Sequence, residues 1–294
     1  MVTSSYPRDL VGYADRPPDP RWPGGARLAV NFVLNYEEGG ERSILHDDDA
    51  SETRLSDLFL AAPRRGARDL SVESAYEYGA RVGFWRLMRV FAERQVPLTV
   101  YAVGMALERN PRVAEAMTRH GCDIVDHGWR WLDYHGLDEA TEREHIRLSV
   151  DAIRRLTGAR PLGWYVGTPS ANTRRLVVEE GGFRYDSDAY NDELPYWNHE
   201  YGRPHLIIPH TLDDNDTRLA RGLGWGQADD LYVSSPRARR ALACTASAGL
   251  RTGSVTAVER VIGNGLAICS AYRTQPSASR SRGRSHGEAG PASQ

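Results

Sequence analysis

A chain of 294 residues is long enough for one large α/β domain or two small ones, and for a sizeable core. Its net charge of −2 gives no field that would gather nucleic acid or an anionic membrane. All 37 basic residues are arginine, which excludes a Schiff-base or P-loop lysine, and Cys122, Cys244 and Cys269 are too scattered for a disulfide framework or a CxxC metal site. No apolar run approaches the ~20 residues of a membrane span, and the N-terminus lacks a signal-peptide core. The expectation is a reduced, cytoplasmic protein with neither nucleic acid nor membrane as partner.

In chain order, residues 1–26 are rich in Pro, Asp and Arg and predict an irregular arm over the surface. Arg27–Leu34 is a mostly apolar run of the kind a buried parallel strand needs, and it leads into Asn35-Tyr36-Glu37-Glu38-Gly39-Gly40-Glu41. Residues 42–76 show no periodicity and predict a long decorated loop. From Tyr78 to Gln95, Val82, Trp85, Leu87, Met88 and Phe91 fit a helix with one buried face. Leu98–Val103 predicts a second strand, and Gly104 opens a short helical piece. Asn110-Pro111 predicts an N-cap with proline at the first position of a helix that Gly121 ends.

Cys122–Val125 predicts a third strand that delivers His127 at a glycine-loosened turn. A helix is expected over Asp138–Leu156, stopped by Gly158, and then a short strand at Leu162–Tyr165. Asn172 is placed to cap a helix from about Thr173, and strands are expected at Arg184-Tyr185 and Leu206–Ile208. Such alternation implies a parallel sheet with crossovers, but periodicity does not say whether it closes into a barrel. After about residue 232 the composition changes to Arg, Ala, Ser and Gly with no aspartate, which is what out-of-frame translation of GC-rich DNA produces; a solvated tail would explain only residues 274–294.

In α/β folds the C-terminal ends of strands carry the site, because the loops there vary while the sheet holds them. Three constellations fall at such ends. Glu37 and Glu38 follow the first strand; adjacent side chains on a strand point oppositely, so one of them can face a given site. Paired with His127, a carboxylate there can do general acid–base work; the plainer alternatives are two solvated loop acids and a histidine bonded to backbone. Trp129, Arg130 and Trp131 could line a flat polar ligand or simply pack. Asp213–Asp216 and Asp186–Asp192 with Tyr190 could face the same mouth or cap turns. Metal ligation fails on spacing: a second ligand is wanted at i+4 from His127, and that position is Trp131.

Taken together, residues 35–41, Tyr78–Arg81, Tyr101–Gly104, Asp126–Trp131, Asn172–Leu176, Tyr185–Asp192 and Asn215-Asp216 resemble the cofactor-independent allantoinases of the NodB-type polysaccharide deacetylase superfamily, over about residues 5–232. The resemblance implies a distorted (β/α) barrel over 27–232, between the arm at 1–26 and the aberrant 233–294. It implies metal-independent ring opening of allantoin to allantoate in urate catabolism, no cofactor, and a homo-oligomer, a tetramer. Metal-binding members of the superfamily carry Asp-Asp after the first strand and His-x-x-x-His after the third; Glu37-Glu38 and Trp131 stand there in this chain. By position Glu37 becomes the base for water and His127 the group that holds the carbonyl or moves a proton. Glu38, Arg130, Trp131, Asn172, Tyr190, Asn215 and Asp216 become substrate contacts. The family's late strand with its active-site histidine has no counterpart after 232, so the barrel is expected to be incomplete. The alternatives are a metal-dependent N-acetyl-sugar deacetylase and an inactive remnant.

Overall fold

The computed structural model describes residues 8–26, 29–53 and 62–211, and the backbone of 267–269. The expected departure from the fold after residue 232 therefore lies outside the described residues, apart from that last short strand. Eight strands form one sheet: β1 (Asn31–Tyr36), β2 (Thr99–Ala102), β3 (Asp123–Asp126), β4 (Gly163–Trp164), β5 (Tyr185–Asp186), β6 (Tyr196–Asn198), β7 (His205–Ile207) and β8 (Ala267–Cys269). Their order is β6-β7-β5-β4-β3-β2-β1-β8. β1 to β5 and β7 run parallel, and β6 and β8 are antiparallel at the two edges.

The helices are α1 (Leu70–Tyr78), α2 (Phe84–Arg94), α3 (Gly104–Arg109), α4 (Pro111–His120), α5 (Glu139–Thr157) and α6 (Thr173–Glu180). Local chemistry sets several of their ends. The Asp138 side chain accepts from Thr141 N–H at the start of α5, and Gly158 leaves it at φ +79°. Gly121 ends α4 at φ +71°. Among the described residues no helix is long and apolar enough to cross a membrane.

Two apolar layers cover one face of the sheet. Phe32, Leu34, Val100 and Ala102 pack under α2, α3 and α4 through Phe84, Phe91, Leu107 and Met117. Trp164 and Val166 pack with Ile146, Leu176 and Val177 of α5 and α6. Residues of the opposite parity, Val33, Tyr101, Val125 and Tyr165, form a small cluster of their own on the other face. Strand alternation makes this division, and Glu37 and His127 continue the parity of Val33 and Val125.

The chain departs from the sequence-based expectations in three places. Residues 70–76 are not loop: Asp69 accepts from Ser71 and Val72 N–H and starts α1. Its nine residues bury only Val72, so there was no stripe to read. The helix expected over Tyr78–Gln95 is α2 joined to α1 through a π-turn at Gly79–Gly83. The strand β6 is a half-exposed edge element with no apolar run to announce it.

Candidate active site

Glu37 and His127 each stand one residue beyond a parallel strand, on either side of β2. The His127 N–H donates to Ala102 O at 3.0 Å, which fixes where its side chain leaves the sheet. Its Nδ1 lies 2.7 Å from Tyr165 O. A carbonyl only accepts, so Nδ1 carries a proton and Nε2 is the nitrogen left to face other groups. That nitrogen is 3.3 Å from Glu37 Oε1. A proton on either group makes that contact a hydrogen bond. The His127 side chain is fully buried and that of Glu37 is 18% exposed, so the pair meets the outside through the carboxyl. Three rings wall the imidazole: Trp131 at 4.5 Å, Tyr165 stacked at 5.2 Å, and Tyr101 at 6.0 Å.

The turn that carries His127 is pinned from below. Gly128 sits at φ +80°, and a Cβ there would meet Tyr134 Oη at 2.5 Å, so both conformation and space demand glycine. Asp126 Oδ1 accepts from Gly128 N–H and from Ser149 Oγ on α5. Full burial nevertheless pushes the Asp126 carboxyl up to about 7. A second support comes from Asp188, whose carboxylate accepts from Val166 and Gly167 N–H at 2.7–3.1 Å. Those two residues follow Tyr165, so Asp188 fixes the carbonyl that orients His127. Burial, with Asp186 beside it, raises Asp188 to about 7. Arg174 and His205 hold Asp186 in turn and, against its burial, draw its carboxyl below the usual range.

Glu38 turns away from its neighbour. Its Oε2 accepts from the Glu37 N–H at 3.0 Å, and its other oxygen lies against Gly79, where any Cβ would overlap it. Burial raises this carboxyl to about 7, with Glu37 and Glu41 adding to the effect. Tyr76, on α1, is held well above the usual phenol range by burial and by the nearby acids Glu37, Glu52, Glu41 and Glu38. The divalent metal of the metal-binding deacetylases does not fit these donors. His127 uses one nitrogen on backbone and the other on Glu37, Trp131 replaces a second imidazole, and Glu38 is folded onto its own turn. Among the described residues no three His, Cys, Asp or Glu are placed to hold a metal ion.

Of the residues the sequence nominated, the structure brings Glu37, His127 and Trp131 together, with Glu38 directly behind. The Trp131 Nε1–H is buried without a partner. Tyr190 stands at the rim, 48% exposed, its hydroxyl 3.1 Å from Tyr165 Oη. Arg130 already has protein partners: its guanidinium is buried and pairs through both terminal nitrogens with Asp48, and one of them also donates to Glu41 O, so it clamps the 41–48 loop. Asn172 precedes α6 without the side-chain cap expected of it, and its side-chain oxygen accepts from Arg175 in a surface network with Glu139 and Glu179. Asn215 and Asp216 lie outside the described residues.

The sequence reading does not single out Tyr101, Tyr165 or His210, and it holds Asp188 only within the segment Asp186–Asp192. His210 follows β7, and the strand-end rule that singled out His127 would have found it. Nothing local marks the two tyrosines, since their part depends on contacts across strands.

Comparison with known proteins gives this site its family. The model for "Polysaccharide deacetylase" matches residues 65–185. A Schizosaccharomyces pombe protein named "Putative polysaccharide deacetylase" is 43% identical over 244 residues, covering 77% of this chain and 76% of that one. The crystal structure of a "probable Polysaccharide deacetylase" from Pseudomonas aeruginosa PAO1 superposes with a TM-score of 0.77 at 47% identity, over 87% of this chain and 91% of the other. The crystal structure titled "Puue Allantoinase" gives 0.78 at 47% identity, over 87% and 90%. The mostly parallel α/β sheet is thus the fold of these structures, and the chain belongs to the polysaccharide deacetylase family of hydrolases.

Proposed function

We propose that the chain hydrolyses the cyclic amide bond of allantoin, or of a closely similar ureide, giving allantoate, without a metal ion. The observation that carries the reading is the Glu37–His127 pair at 3.3 Å, enclosed by aromatic rings in a donor set that does not suit a metal. The 47% identity to a structure titled as an allantoinase supports it.

In this mechanism the carboxylate of Glu37, the more accessible partner, takes a proton from water as its oxygen attacks the ring carbonyl carbon. A new C–O bond forms and the carbonyl electrons move onto oxygen. His127, its Nδ1–H held by Tyr165 O, presents an Nε2–H to that developing oxyanion. When the tetrahedral carbon collapses, the C–N bond breaks and the proton held by the pair goes to the departing nitrogen. The unpaired Trp131 Nε1–H is a further donor for a ring oxygen. The proposal includes a homo-oligomer, a tetramer, to be measured by light scattering.

The test is allantoin hydrolysis by the purified chain after exhaustive chelation, with circular dichroism on the same sample. Chelator-resistant ring opening is the expected result. A folded protein that leaves allantoin intact, yet removes acetyl groups from an N-acetyl sugar when metal is restored, would replace this reading with the deacetylase one. The family match and the name of the S. pombe relative favour that second reading.

A further inference from the structure

Among the described residues, His210 is an imidazole near the Glu37–His127 pair that the mechanism leaves unused. It lies three residues past the end of β7, and its N–H donates to Ala189 O at 2.7 Å, which ties it to the segment after β5. The residue is 4% exposed. Its ring packs 4.9 Å from Tyr165 and 6.0 Å from Tyr101, the two rings that also wall His127, and 6.0 Å from Tyr190 at the rim. Two imidazoles therefore share one aromatic frame. Its Nδ1 is buried and has no hydrogen-bond partner. Buried polar atoms are nearly always paired, so an orphan beside a reacting pair points to a partner that arrives with the ligand.

Burial and the neighbouring His127 lower the His210 imidazole to about 4, so it is neutral at ordinary pH. A neutral imidazole has one donor and one acceptor nitrogen. A cyclic ureide presents N–H and C=O groups in turn around a flat ring, and either kind can meet such a nitrogen.

We propose that His210 is a specificity-determining contact of this site, its free ring nitrogen hydrogen-bonding an N–H or C=O of the bound ureide. This rests on the ureide reading above. The role is binding rather than proton transfer, because a group that stays neutral holds the ring in the ground state and transition state alike.

The experiment is steady-state hydrolysis of allantoin by the full chain, its His210→Phe and its His210→Asn variants, with melting temperatures. Phenylalanine keeps the aromatic packing and removes both nitrogens; asparagine restores a donor and an acceptor. His210→Phe is expected to raise KM about 10-fold with kcat within about threefold, one hydrogen bond's worth of uniform binding. His210→Asn should recover most of the loss, and neither variant should melt lower than the parent. A wild-type KM in His210→Phe, or an asparagine variant no better than phenylalanine, overturns the inference. Should His210→Phe fail to fold, the ring ¹⁵N shifts of His210 in the unaltered protein decide instead. Movement on adding hydantoin supports the contact, and unmoved shifts refute it. If the unaltered chain opens no ureide at all, the underlying reading has failed, and this inference falls with it.

Discussion

Nothing at the site separates Glu37 from Glu38 by residue type; backbone parity and one glycine do. Glu37 faces the cluster of Val33, Tyr101, Val125 and Tyr165, whereas Glu38 points back to its own turn. The roles should separate accordingly. Glu37→Gln is expected to lower kcat by ~10²-fold or more with KM little changed, because it removes the base and keeps the shape. A rate near that of the parent would remove Glu37 from the mechanism. Glu38→Gln should instead act on stability. A carboxyl raised from its ordinary 4.5 to about 7 in the fold contributes stability that is complete below pH 4.5 and is lost as pH rises through 7. The glutamine variant should therefore be more stable than the parent at pH 8, by about 1–3 kcal/mol, and level with it near pH 4.5. Urea unfolding at the two pH values measures this, and a pH-independent difference would contradict it.

At the scale of elements, two devices place the site from outside it. The first is the π-turn between α1 and α2. Its Gly79 has helical angles, so alanine would fit the backbone, and a helix interior favours alanine over glycine by ~1 kcal/mol. Overlap with Glu38 decides against it. Gly79→Ala is expected to push Glu38 off the Glu37 N–H and lower kcat/KM by about 10-fold or more, since reacting groups tolerate little displacement. If melting temperature alone changes, Gly79 serves packing and not the site. The second device is the Arg130–Asp48 clamp, its side chains 10% and 11% exposed. Arg130→Met takes the buried cation from Asp48 and leaves it the Ser43 N–H, and such single losses cost about 3–5 kcal/mol. The double variant with Asp48→Asn should recover part of that in urea unfolding, whereas additive losses would mean the two residues act independently. Arg130 and Asn172 each have a side-chain partner that local sequence does not announce, Asp48 and Arg175.

On the scale of the molecule, three carboxyls among the described residues are raised to about 7, by burial first: Glu38, Asp126 and Asp188. All three stabilise the fold below their ordinary values, and that contribution is lost as pH climbs to 7. His145 and His210 are lowered to about 4 and act oppositely, adding stability as pH rises from 4 to 6.5. The two sets overlap and oppose each other in mildly acidic solution. The sum is a broad plateau there and a decline toward pH 8, which chemical denaturation across pH 4–8 would trace. A stability maximum at pH 8 would contradict this account.

The sequence by itself determined the class of fold and the axis of the site. Alternation of apolar strands with capped amphipathic helices is a local signal, set within a few residues by side-chain parity and backbone capping. Hence β1, β2, β3, α4 and α5 stood where they were expected, with Glu37 and His127 at strand ends. The failure of metal spacing at Trp131 was equally local. Tertiary structure alone decided which nitrogen of His127 faces Glu37, because Tyr165 lies 38 residues away along the chain. It likewise decided that Asp188 braces that carbonyl, that Gly79 makes room for Glu38, and that Arg130 belongs to Asp48. Such contacts join residues far apart along the chain, where no periodicity reaches, and only the packing of strands and helices brings their atoms within bonding distance.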